Sequence, residues 1–131
     1  MTYCVGILVD QGLVMVSDSR TNAGVDHIAT FRKMRIWESR GERVIALMSS
    51  GNLAITQSVV TLLNQGLARE KDGPRETLMT VATLFDAARL VGAALREVYR
   101  VDAEALQHTG SEFAATLILG GQIAGQSMQL Y

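Results

Sequence analysis

Apolar positions along this 131-residue chain change their spacing several times, and each change marks a boundary between kinds of element. "YCVGILV" at 3–9 and "LVMVSD" at 13–18 are short runs rich in strand-favouring residues. They flank "DQG", which reads as a three-residue hairpin loop with Gly12 free to take a positive φ. Both faces of this hairpin are apolar, which predicts a sheet covered on both sides. A second hairpin joins "KMRIWES" at 33–39 to "ERVIALMSS" at 42–50 across Arg40-Gly41. After Gly51 the period becomes helical: Leu53, Ile55, Val59, Leu62, Leu63 and Leu67 form one stripe behind Asn52 as N-cap, ending near "KDGP" at 71–74. A second helix is predicted from about Thr77 to about Arg100, with Leu78, Val81, Leu84, Phe85, Ala88, Val91, Leu95 and Val98 on its apolar face. A polar loop leads to the strand "FAATLILGG" and a last strand-like run, "SMQLY". With no internal repeat or low-complexity linker, this order of strands, two helices and strands predicts a single α+β domain over residues 1–131.

Composition narrows the function classes. A net charge of -1 offers no electrostatic footprint for nucleic acid or an anionic membrane. No apolar run approaches the roughly 20 residues of a membrane helix, and no basic region precedes the first apolar run as in a signal peptide. The single cysteine, Cys4, forms no intrachain disulfide and fits a reducing, cytoplasmic setting. Cys4, His27 and His108 are too scattered to form a metal cluster, so neither a metal nor a cofactor is called for. Cys4 reads as a structural thiol, His27 and His108 as loop or surface residues, and Met15, Met34, Met48 and Met79 as core. Trp37 fits either the core or a contact with a neighbouring subunit.

The candidate chemistry sits at the end of the first strand. A three-residue loop would pair Val9 with Leu13 and place Thr2 opposite Arg20 and diagonally beside Asp18 on one face, whereas a two-residue loop would send Asp18 to the opposite face. A carboxylate ending an apolar strand needs a partner, and Lys33 at the head of the next strand is the natural one. Two readings fit these three residues: a structural ion pair beside an incidental threonine, or a nucleophile with its supporting charges. Removal of Met1 would give Thr2 a free α-amine, so that one residue carries both nucleophile and base.

"TYCVG", "VSDSRTNAG", "FRKMRI" and "ALMSSGNLA", in this order and spacing, resemble the first half of a proteasome β-type subunit, an N-terminal-nucleophile hydrolase. "MTYCVG" with "GSEFAATLILGGQI" is most similar to the bacterial Anbu, or ancestral β-subunit, group. The resemblance runs through essentially the whole chain, which covers about the front half of such a subunit. It implies a four-layer αββα sandwich, incomplete in this chain, and a threonine-type peptidase. In that reading Thr2 attacks the peptide carbonyl, and its α-amine, with an ordinary pKa of about 7.7 to 8.0, accepts the proton. Lys33 stabilises the developing charge on the Thr2 oxygen, Asp18 orients Lys33, and the Gly51 N–H faces the oxyanion. Thr21 and Asn22 grip the substrate backbone by strand addition, although the family often has Thr where this chain has Asn22. The family commonly exposes its nucleophile by cutting off a propeptide. Here only Met1 precedes Thr2, and the family's supporting serine and aspartate would lie beyond Tyr131. The resemblance further implies peptide or unfolded-protein substrates and self-assembly into a ring-like or spiral homo-oligomer, with no unfoldase partner identified. The alternatives are a non-catalytic assembly or peptide-binding subunit of the same fold, and an amidohydrolase acting on small amides.

Overall fold

The first turn fixes how far the N-terminal residues reach. Strands β1 (Cys4–Val9) and β2 (Gly12–Ser17) run antiparallel with Val9 opposite Gly12 and Cys4 opposite Ser17. The loop is therefore Asp10-Gln11, one residue shorter than "DQG", and the ladder lies one step from the expected register. Gly12 is part of the ladder and has no positive φ, so the turn closes without the freedom that predicted a longer loop. The second hairpin errs in the opposite sense. Strands β5 (Met34–Ser39) and β6 (Arg43–Gly51) pair Ser39 with Arg43, so Arg40, Gly41 and Glu42 form a three-residue loop, closed by the Glu42 N–H donating to the Ser39 carbonyl at 3.0 Å.

The structure, a computed structural model, describes residues 2–22, 28–30, 32–68, 72–108, 110 and 112–131, and for residues 20–22 and 28–30 it describes the backbone alone. The chain divides into two compact units, residues 1–50 with 117–131, and residues 51–116.

In the first unit, β9 (Ala115–Ile123) and β10 (Gln129–Leu130) join β5 and β6 in a four-stranded sheet of order β10-β9-β6-β5. The β1–β2 hairpin packs on this sheet. A Cβ added to Gly6 would lie 2.8 Å from Leu130 Cδ1, and one added to Gly120 would lie 2.8 Å from Met15 Sδ, so the absence of side chains lets the sheets approach. Beside this contact Leu13, Met15, Met34, Ile36, Val44 and Met128 line an apolar cavity of about 270 Å³. The hairpin's other face is uncovered, contrary to expectation: Val5, Ile7, Val9, Val14 and Val16 share that face and are about half exposed. A separate pair, β3 (Arg20–Asn22) and β4 (Ile28–Thr30), runs antiparallel with Thr21 opposite Ala29.

The second unit is built on two helices. Helix α1 (Leu53–Gln65) starts where the Asn52 side chain accepts from the N–H groups of Ala54 and Ile55 at 2.9 and 3.4 Å, as an N-cap does. It ends at Gly66, well before "KDGP". Gly66 has φ +80°, and a Cβ there would meet Arg75 Cβ and the Glu76 carbonyl, each at 3.1 Å. Leu67, which continued the helical stripe in the sequence, belongs instead to β7 (Leu67–Ala68), paired with β8 (Arg75–Glu76). Helix α2 (Leu84–His108) begins later and ends later than predicted. Its N-terminus is capped by Thr83: the Asp86 N–H donates to Thr83 Oγ1 at 3.0 Å, and that hydroxyl donates to Asp86 Oδ2 at 2.7 Å. Before it, Thr77 and Thr80 hold a turn that buries Leu78 and Val81. Helices α1 and α2 pack together with Ile55, Val59, Leu63, Leu84, Ala87, Val91, Ala94 and Val98 buried, whereas Phe85, expected on the apolar face, is exposed. Among the described residues no helix is long and apolar enough to cross a membrane.

Candidate active site

Thr2, Asp18 and Lys33 meet within the first unit. Lys33 immediately precedes β5, and its position opposite Ser49 is held by the Ser49 N–H donating to the Lys33 carbonyl at 3.0 Å. Only 6% of the Lys33 side chain is exposed. Its ammonium group makes three short contacts: 2.9 Å to Thr2 Oγ1, 2.9 Å to Asp18 Oδ1 and 2.8 Å to Asp18 Oδ2. An ammonium has donors and no lone pair, so in each of these contacts Lys33 donates and the oxygen accepts. The Thr2 oxygen accepts from Lys33, which leaves the hydroxyl's own proton for another acceptor.

Asp18 reaches this position in spite of the corrected register, which sets Tyr3 rather than Cys4 across from it. The two residues lie just beyond the Cys4–Ser17 pair that ends the ladder, where strict alternation of faces no longer binds the side chains. The Asp18 N–H donates to the Tyr3 carbonyl at 3.0 Å, while the Tyr3 N–H donates to Asp18 Oδ1 at 2.9 Å. Asp18 keeps 28% of its side chain in water, which lowers the cost of placing its charge there. Removing one partner of a fully buried pair costs about 3–5 kcal/mol, and this half-open pair should cost less.

One neighbour, Ser49, escaped the sequence reading, and a second, Cys4, was read there as a structural thiol. Ser49 is buried, with its hydroxyl 3.5 Å from the Lys33 carbonyl, and the pairing of β5 with β6 is the signal that locates it. The Cys4 thiol lies 3.9 Å from the Ser49 carbonyl. Burial pushes this thiol's pKa up, the Asp18 carboxylate adds to the rise, and Lys33 opposes it, which keeps Cys4 protonated and poorly nucleophilic near neutral pH.

The remaining predicted residues are differently placed. Gly51 is the first residue of the second unit and ends β6 with φ +109°, where a Cβ would collide with the Ala114 carbonyl oxygen. These constraints require glycine there, and its oxyanion role rests on the resemblance. Thr21 and Asn22 lie on β3, with their side chains outside the description. Met1 and His27 lie outside the described residues. His108 is an exposed residue at the end of α2, 3.9 Å from Glu104. Among the described residues no group of three or more His, Cys, Asp and Glu side chains is arranged to hold a metal ion.

The mixed α+β chain matches solved structures of the proteasome-related proteins with an N-terminal nucleophile. The chain is homologous to one group of these, the Anbu or ancestral β-subunit proteins. It is 44% identical to an Anbu (Gly-1) mutant from Hyphomicrobium sp. strain MC1, with a TM-score of 0.83 over 99% of this chain and 52% of that one. It is 42% identical to the Anbu of Pseudomonas aeruginosa, solved as a helical assembly, with a TM-score of 0.82 over 97% of this chain and 51% of that one. Anbu from Yersinia bercovieri is 44% identical, with a TM-score of 0.77 over 97% of this chain and 50% of that one. The chain thus spans about half the length of these solved structures. No protein-family profile matches it, and no curated protein does.

Proposed function

We propose that this chain carries the nucleophile of a threonine-type peptidase, in which Thr2 attacks a peptide bond once Met1 has been removed. The observation that carries this reading is the Lys33 ammonium held 2.9 Å from the Thr2 oxygen by an aspartate on its other side. A cation in that position favours negative charge on the oxygen as the hydroxyl proton leaves. In this scheme Lys33, bridged between the Asp18 carboxylate and the Thr2 oxygen, acts as an electrostatic stabiliser. The proton then passes to the α-amine of Thr2. As the C–N bond breaks, that proton is handed to the departing amine, leaving an ester acyl-enzyme, which water cleaves to release the carboxylic acid and return the hydroxyl. Gly51 supplies an oxyanion donor in this scheme. Strand β3 pairs with β4 among the described residues, and in this scheme an extended peptide adds at its other edge beside Thr21 and Asn22.

The complete unit in this proposal is a four-layer αββα sandwich, working in the cytoplasm as a self-assembled oligomer, as the helical assembly of the Pseudomonas aeruginosa relative suggests by analogy. Intact-mass measurement and a β-lactone probe test the reading together. The expected result is a protein lacking Met1 and carrying one adduct on Thr2, with no adduct in Thr2→Ala. Retained Met1 with no labelling would instead favour a non-catalytic assembly or peptide-binding subunit, and labelling that survives Thr2→Ala would overturn the assignment of the nucleophile.

A further inference from the structure

We infer that Asp18 holds the backbone of the nucleophile directly, as a positioning residue, in addition to neutralising Lys33. The inference rests on the reading of Thr2 as nucleophile. In a regular antiparallel ladder, a hydrogen-bonded pair exchanges two N–H to carbonyl bonds. At the open end of the β1–β2 hairpin only one of these is made in that way, from the Asp18 N–H to the Tyr3 carbonyl at 3.0 Å. For the other, the Asp18 side chain stands in for its own carbonyl, and Oδ1 accepts the Tyr3 N–H at 2.9 Å. The ladder is thereby closed one residue beyond Cys4–Ser17 by the carboxylate that also binds Lys33.

The consequence follows from peptide planarity. The Tyr3 N–H and the Thr2 carbonyl belong to one rigid plane, so a charge-assisted bond to that N–H fixes the plane to which Thr2 is attached. The torsions left to the nucleophile are those about its own Cα, and the Lys33 contact to Oγ1 restrains the side chain among them. Chain ends fray unless they are tied down, and Asp18 ties this one at the residue where misplacement would cost most. One carboxylate therefore sets both the cation and the backbone against which the hydroxyl is aimed.

A double-mutant comparison separates the two roles. In a Lys33→Ala background the charge role is gone, and only the backbone role can remain. Asn at position 18 keeps an oxygen for the Tyr3 N–H, whereas Ala does not. In that background the second-order rate of β-lactone labelling of Thr2 should be about tenfold lower for Asp18→Ala than for Asp18→Asn. Equal rates in Asp18→Asn and Asp18→Ala would show that Asp18 acts through Lys33 alone and would overturn the inference. Amide exchange at Tyr3, followed by NMR in the otherwise unchanged chain, gives a readout independent of reactivity. It should speed up about tenfold in Asp18→Ala and stay protected in Asp18→Asn, with the β1–β2 amides as internal reference. Where Asp18→Ala loosens the whole hairpin, Asp18→Asn decides: a protected Tyr3 amide supports the clamp and an unprotected one refutes it. A wild-type chain that takes no probe would refute the nucleophile reading, and the exchange result would still judge the clamp.

Discussion

Lys33 holds the site together, because its ammonium touches both Thr2 and Asp18. Replacing it with alanine should lower the rate of peptide hydrolysis, or of β-lactone labelling at Thr2, by about 100- to 1000-fold, as loss of a preorganised electrostatic donor does elsewhere. Binding of a non-reactive peptide should change little, since the charge acts where the oxyanion develops. A rate in Lys33→Ala close to that of the wild type would reduce the pair to scaffolding. Cys4 offers a pH test of the same surroundings. Because its folded pKa is raised, the thiol's contribution to stability is fully present below the unfolded value of about 8.5 and is lost as pH rises through the folded value. Alkylation of Cys4 by iodoacetamide in the folded chain should therefore set in at higher pH than in the same chain in urea. Coincident pH profiles would contradict the buried setting. The pairing of Asp18 with Lys33 was legible in the sequence, because a terminal carboxylate on an apolar strand needs a cation. The link from Asp18 to Tyr3 was not, because it depends on an N–H that every residue except proline has.

At the scale of elements, sequence reading located the two main hairpins, both helices and the last two strands but missed the short pairs β3–β4 and β7–β8 and misplaced several joints. In the first hairpin, Gly12 drew the loop toward itself although the ladder takes it in beside Val9. In α1, Leu67 continued the apolar stripe past Gly66, and the local glycine signal overrode periodicity. In α2, Leu78 and Val81 are buried as expected, but within a turn, since Thr83 and Asp86 supply the cap that starts the helix. The contact between sheets could not be read from the sequence either, because it depends on Gly6 and Gly120 facing large side chains from distant segments. Gly120→Ala tests that contact. The new methyl would meet Met15 Sδ at 2.8 Å and Leu13 Cδ2 at 2.9 Å, and should destabilise the chain by about 1–3 kcal/mol in urea unfolding. Trimming Met15 to alanine in the same chain should recover part of that loss. Purely additive effects would argue against direct contact.

For the whole molecule, the uncovered hairpin face has the clearest consequence. Val5, Ile7, Val9, Val14 and Val16 form one apolar strip on a chain that spans about half of its solved relatives. Exposed strips of this kind promote association. Replacing Val5, Val14 and Val16 with threonine should keep strand propensity and lower the apparent mass of the 131-residue chain in light scattering. An unchanged mass distribution would show that association, where it occurs, uses another surface. The second unit raises a different matter, one of connectivity. The chain leaves β6 at Gly51 and returns into β9 at Ala115, and the Asn52 N–H donates to the Ala114 carbonyl at 2.8 Å, so the excursion departs and comes back through a single doorway. A segment whose two ends already touch can open and close as a body without unthreading anything else. Native-state hydrogen exchange should find α1 and α2 exchanging as one cooperative block with its own denaturant dependence. Gly51→Ala, which wedges a methyl into that doorway, should release this block at lower denaturant than it frees the β1–β2 hairpin.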